Sequence, residues 1–338
     1  MPERPTASRL AQAPANPPHF DGRRFLNPGM PFDKGLAEVL KWQLTRTRTP
    51  WPARVANTAT PRLLERGSPG PSAQLAATWV GHATFVLQFS GADDVFTVVT
   101  DPFFSERASP VPFAGPRRVR DPGVRIDALP KVDAVVVSHN HYDHLDLPSL
   151  RALEARFSPK FVVPLGNAGI LRRAGLKDVV ELDWWGSKAL GGPLDVHITL
   201  APALHWSARG SGDRFDSLWG SFLIAAAGRT AYFAGDTGYH THFADVRARL
   251  GAPDLALLPI GAYEPRWFME FQHMNPDDAV MAHVDLGART SLAMHHSTLC
   301  LTDEGIDEPK RALTLALETR GVGGFEVVEV GETWGGRG

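Results

Sequence analysis

The chain is poor in cysteine: Cys300 is the only one in 338 residues. An internal disulfide is therefore excluded, and so is any metal site built on several thiolates. That usage fits a reducing compartment. Long apolar runs are also missing. Stretches such as Leu255 to Ile260 fall far short of the roughly 20 residues that span a bilayer. The N-terminus, Met1-Pro2-Glu3-Arg4-Pro5, lacks the apolar stretch of a signal peptide. The expectation is a cytoplasmic chain with at most peripheral contact to a membrane. Strong charge of one sign is absent as well. A formal net charge of -2 provides no basic field for nucleic acid, which is not expected as a partner. What is present is 43% hydrophobic residues, enough for a sizeable core.

Residues 1–20 hold five prolines and read as an extended or disordered arm. Residues 21–75 read as an irregular lead-in with a helix near Leu36 to Leu44, and 76–338 as one compact body. Thr78 to Phe89 and Val95 to Thr100 are rich in β-branched and aromatic residues and read as strands. A long loop with six prolines follows from Asp101 to Pro130. Beyond it strands and helices alternate. Asn275 opens a helix as N-cap, with Pro276 at the first helical position. Two sheets packed face to face with helices outside fit this order, and so does a single parallel sheet.

The strongest chemical signal is Val135-Val136-Val137-Ser138-His139-Asn140-His141-Tyr142-Asp143-His144. A buried strand runs out into four donors within six residues. In extended backbone His139 and His141 point to one side. A turn towards a helix then aims Asp143 and His144 at a second point nearby. Imidazole and carboxylate suit zinc and related divalent ions. A solvated histidine-rich loop would be less specific than a buried strand ending in this pattern. Three later strand ends offer further donors: His205, Asp236 and His295. Each alone would read as structural. Together with the first cluster they exceed the needs of one ion and suggest two, about 3.5–4 Å apart. His295 and His296 are adjacent, and strand geometry lets only one face the site.

These segments resemble the metallo-β-lactamase fold superfamily, and within it the N-acylphosphatidylethanolamine-hydrolysing phospholipase D group. The resemblance is carried by His19-Phe20-Asp21-Gly22, Trp79 to Thr84, Thr100-Asp101-Pro102, Ser138 to His144, Gly235-Asp236-Thr237-Gly238-Tyr239, Gly261 to Met269 and His273-Met274-Asn275-Pro276. It implies an α/β fold, a four-layer αββα sandwich, over the 76–338 hydrolase domain. It implies two Zn2+ per chain, with Mn or Fe as alternatives. His139, His141 and His205 would hold one ion, Asp143, His144 and His295 the other, and Asp236 would bridge them. Asp143 and His273 are the catalytic candidates, His273 having as its structural alternative a helix-capping role or the support of a metal ligand. The substrate implied is a phospholipid or small phosphodiester. A homodimer is also in keeping with the group. The position of His296 is often Trp in characterised relatives and that of Ser297 often Gly; both are expected to line the site.

The leading expectation is thus a phospholipase D-type phosphodiesterase giving phosphatidic acid and N-acylethanolamine. A lactonase or other acyl hydrolase of a small polar substrate is the alternative, and a metal-binding protein without turnover a further one. His82 is expected to hydrogen-bond near the site rather than ligate, and Asp101 to support a ligand. Arg117, Arg118 and Arg120 form a basic group that could meet anionic head groups. Trp184, Trp185, Trp267 and Phe268 could line an acyl groove or belong to the core. Cys300 reads as a small buried hydrophobe.

Overall fold

Strands β1 (Gln74–Gly81), β2 (Thr84–Ser90) and β3 (Val95–Thr100) form an antiparallel meander, which β4 (Ala134–Val136), β5 (Lys160–Pro164) and β6 (Val179–Leu182) extend in parallel. The C-terminal β14 (Thr333–Gly335) pairs with β1 at the far edge. The second sheet starts with antiparallel β7 (Ser187–Gly191), β8 (Val196–Ala201), β9 (Ser221–Ala226) and β10 (Arg229–Phe233). It continues in parallel through β11 (Leu255–Pro259), β12 (Thr290–Met294) and β13 (Phe325–Glu326). The sheet orders are β14-β1-β2-β3-β4-β5-β6 and β13-β12-β11-β10-β9-β8-β7. This is a computed structural model that describes residues 17–30, 34–67, 74–91, 93–210 and 212–335.

Alternation along the strands explains the layers. Trp79, Phe85, Leu87, Val136 and Val162 turn to the interior shared with Ile198, Phe222 and Tyr232 of the second sheet. Their chain neighbours Val80, Val86, Val135, Val137, Phe161 and Val163 turn the other way. There they meet Leu150 and Leu153 of α2 (Leu147–Phe157) and Leu171 of α3 (Ala168–Arg173). The first sheet is therefore buried on both faces, which requires continuous apolar strands such as β4. Each fully buried Val, Leu or Phe contributes about 1.5–3 kcal/mol. Three helices, α4 (His242–Leu250), α6 (Pro276–Leu286) and α7 (Glu308–Arg320), cover the second sheet. Two further helices, α1 (Leu36–Thr45) and α5 (Arg266–Met269), lie outside these layers. The result is the expected αββα sandwich rather than a single sheet.

Local differences have physical causes. Thr78 to Phe89 is not one strand: Gly81 (φ 129°) and His82 (φ 54°) fold it into a hairpin. The apolar pattern continues through this turn, so alternation does not reveal it. Exposed β7 has no apolar pattern because it is an edge strand. Residues 1–16 of the expected arm lie outside the described residues. His19 is buried and bonded to Asp183 (2.7 Å), and the lead-in runs against the body, with Phe25 N donating to Phe215 O.

Candidate metal centre

The expected donors all lie at one end of the sandwich, on segments that leave the strands. After β4 the chain stays buried through His139 and Asn140. His144 N and Leu145 N both donate to His141 O, which closes a tight turn. That turn aims Asp143 and His144 at a second point, with the His144 ring 4.2 Å from that of His139. The remaining donors arrive from the second sheet: His205 after β8, Asp236 after β10 and His295 after β12.

His139, His141 and His205 form one convergent set. His139 Nε2 lies 2.8 Å and His205 Nε2 3.3 Å from His141 Nδ1. A tetrahedral zinc ion with ligands at 2.0–2.1 Å would space them about 3.3 Å apart. The second set is His82, Asp143, His144 and His295. Asp143 Oδ2 is 3.4 Å from His144 Nε2 and 3.7 Å from His295 Nε2. Asp236 stands between the sets. Its Oδ2 is 3.1 Å from His144 Nε2, 4.0 Å from His139 Nε2 and 3.9 Å from His205 Nε2, while Oδ1 is 3.1 Å from His295 Nε2.

The outer nitrogens of His139, His144 and His205 are occupied, which fixes those three rings. His144 Nδ1 donates to Asp101 Oδ2 at 2.6 Å. His139 Nδ1 donates to Ser138 Oγ (2.9 Å), and Ser138 Oγ donates to the same Asp101 oxygen (2.5 Å). Ser138 N donates to Asp101 Oδ1 (2.7 Å), so one carboxylate organises a ligand in each set. His205 Nδ1 donates to Gln272 O (3.0 Å). His82 Nε2 donates to Asp143 Oδ2 at 2.9 Å.

Electrostatics test whether cations fit. Burial lowers His139 and His205 far below the ordinary imidazole value, His141 to about 4 and His82 to about 3. Burial alone would raise the Asp143 and Asp236 carboxyls, but the imidazoles around them, His144 foremost, hold both well below the usual range. Burial likewise works against a proton on His144 and His295. The carboxylates, Asp236 first, overcome it, raising His144 strongly and His295 to about 9. The carboxylates thus demand positive charge, and without metal they draw it as protons onto these two rings. His144 Nε2, His295 Nε2 and Asp236 Oδ1 are buried without a well-formed hydrogen bond. Buried imidazole and carboxylate atoms of this kind fit divalent cations, which would take the place of those protons.

His295, not His296, enters the cluster. Its φ of 60° turns the chain just past β12, so strand geometry does not apply there. His296 stacks on Trp79 (4.7 Å) and bonds Ser297 Oγ (2.8 Å). His273 Nδ1 is 3.9 Å from Asp236 Oδ2 and has no hydrogen-bond partner. The capping role falls to Asn275, which accepts from Asp278 N. The basic group is dispersed: Arg117 pairs with Glu106, Arg118 turns inward to Phe103 O, and Arg120 donates to Ala56 O. Trp184 bonds Trp219 O and packs on the core, as does Trp185. Trp267 and Phe268 belong to α5. Cys300 is half-buried. Sequence reasoning did not find Ser138 as a support, nor Asn27, whose Nδ2 donates to His205 O (2.8 Å). It also missed Trp206, which lies 4.4 Å from the His141 ring and bonds Gln272 Oε1. Trp206 and Gln272 each adjoin a candidate histidine in sequence, the one signal available.

A two-sheet sandwich with this donor cluster at one end defines the metallo-hydrolases of β-lactamase fold. The family model described as a beta-lactamase superfamily domain matches residues 97–296, and the chain belongs to that superfamily. An uncharacterized protein of Mycobacterium tuberculosis is 37% identical over 321 residues, 92% of this chain and 82% of that one. N-acyl-phosphatidylethanolamine-hydrolyzing phospholipase D 1 of Caenorhabditis elegans is 38% identical over 273 residues, covering 77% and 75%. The mitochondrial enzyme of that name from Saccharomyces cerevisiae is 37% identical over 253 residues, covering 74% and 52%. A solved metallo hydrolase from Ignicoccus hospitalis shares the fold at a TM-score of 0.58 and 23% identity, over 78% of this chain and 98% of that one.

Proposed function

We propose that this chain is a dinuclear zinc phosphodiesterase that cleaves N-acylphosphatidylethanolamine-like lipids to phosphatidic acid and N-acylethanolamine. The observation that carries this reading is the pair of donor sets facing each other across Asp236. The worm and yeast relatives named for that hydrolysis support the substrate class.

His139 Nε2, His141 Nδ1 and His205 Nε2 would hold one cation. Asp143, His144 Nε2 and His295 Nε2 would hold the other, with Asp236 shared. When bound, two such ions lower the pKa of water and offset charge on phosphoryl oxygens. Overall, a water oxygen bonds to phosphorus, the bond from phosphorus to the ethanolamine oxygen breaks, and a proton passes to that oxygen. Asp143, held by His82, orients the attacking water by accepting its hydrogen bond. His273 directs its unpartnered Nδ1 at the phosphoryl group. Burial holds this ring at about 4, so near neutral pH it acts as an uncharged N–H donor.

The test is incubation of zinc-loaded protein with N-acylphosphatidylethanolamine in mixed micelles, with His141→Ala as the blank and mass spectrometry as the readout. Both products from the intact protein alone support the assignment. If neither forms while an activated diester or a lactone is cleaved, the lipid assignment is overturned and the acyl-hydrolase alternative gains.

A further inference from the structure

A surface helix ordinarily buries its apolar residues and shows its polar ones. Helix α1 departs from this. Trp42 anchors it, stacking on Phe268 (5.1 Å) and donating to Asp303 (2.9 Å), with Arg46 on the same carboxylate (2.8 Å). One turn apart on the outside, Leu40 is 52% and Leu44 85% exposed. Beside them, Trp267 and Phe271 are 37% and 38% exposed. Two lysines sit among these groups. Lys41 Nζ is 4.6 Å from the Trp267 ring centre. Lys34 Nζ is 5.5 Å from Trp267 and 5.7 Å from Phe271, and it donates to Trp267 O.

The patch is joined to the metal centre. Phe271 precedes Gln272, whose carbonyl holds His205 and whose side chain holds Trp206 against His141. Exposed leucines, a tryptophan at the rim and lysine ammonium groups on apolar stems match the boundary between acyl chains and anionic head groups.

We infer that the face formed by Leu40, Lys41, Leu44, Lys34, Trp267 and Phe271 docks on an anionic phospholipid bilayer and sets the metal centre at its surface. The placement rests on the lipid-hydrolase reading; the binding itself does not. The charge of the two lysines and the apolar groups beside them match an anionic bilayer surface.

The experiment is co-sedimentation of the zinc-loaded full chain with vesicles of phosphatidylcholine, with and without phosphatidylglycerol. Expected is binding that requires phosphatidylglycerol and weakens with salt. L40S/L44S and, separately, K41E lower the affinity by about tenfold or more. Turnover of a water-soluble activated diester stays at the wild-type level in both variants, which shows that they fold. The inference is overturned if the wild type does not sediment with anionic vesicles, or if L40S/L44S binds them as the wild type does. It is also overturned if sedimentation velocity shows a dimer that L40S/L44S dissociates. Vesicle binding without cleavage of N-acylphosphatidylethanolamine would sink the proposed substrate and leave the docking face standing.

Discussion

Asp101 Oδ2 accepts a 2.6 Å hydrogen bond from His144 Nδ1 while the same carboxylate, through Ser138, also steadies His139. Asp101 is fully buried, and burial raises its carboxyl pKa despite these bonds. Its replacement should therefore be felt in both donor sets. Asp101→Asn is expected to weaken metal binding about 10–100-fold, as loss of a ligand's orienting partner does. Ser138→Ala, which leaves His144 bonded, should have the smaller effect. Equilibrium dialysis with zinc measures both. Equal affinities for Asp101→Asn and wild type would remove Asp101 from this role.

His273 belongs to chemistry rather than to metal retention if its Nδ1 meets the phosphoryl group. His273→Ala is then expected to lower kcat by about a hundredfold or more with zinc content unchanged. Metal analysis alongside the lipid assay separates the two. Full turnover by the variant would return His273 to a structural role.

Glu304 is a buried carboxylate that binds the segment between β11 and α5. It accepts from Ala262 N (2.6 Å), Glu264 N (3.2 Å) and Thr302 Oγ1 (2.8 Å). Glu304→Ala leaves these donors unpaired, at a cost of about 1–3 kcal/mol for each that stays buried. Urea unfolding should show a lower midpoint. Since this segment leads to α5 and His273, KM for the lipid should also rise.

Acid should destabilise the fold in part through His242, which lies outside the donor sets. Burial lowers it from the ordinary 6.5 to about 3. The unfolded chain therefore takes up a proton below pH 6.5 that the folded chain refuses, and stability falls as the pH drops through that window. From pH 6.5 to 5 this amounts to about 2 kcal/mol. His242→Gln should show a correspondingly shallower acid loss in urea unfolding at the two pH values. Parallel losses would exclude His242 as a contributor.

The legible part of the site was its local part. His139, His141, Asp143 and His144 form one short run, and a buried strand before them is visible from composition. His205, Asp236 and His295 were readable as polar residues at the ends of apolar strands. Their supports were not, because Asn27 reaches His205 across 178 residues and Gln272 across 67, with no spacing to signal either. The choice of two sheets over one was hidden for a similar reason: alternation reports that a strand has two faces, not what covers each. Likewise, the hairpin at Gly81-His82 and the left-handed turn at His295 are backbone events inside continuous apolar patterns.

The donors are divided between the two halves of the sandwich. Each proposed ion takes two ligands from the first sheet and one from the second: His139 and His141 with His205, and Asp143 and His144 with His295. Filling the centre would therefore rivet the halves together at their open end. Chelation would loosen a joint as well as stop a reaction, and metal supply during synthesis would govern how much folded protein accumulates.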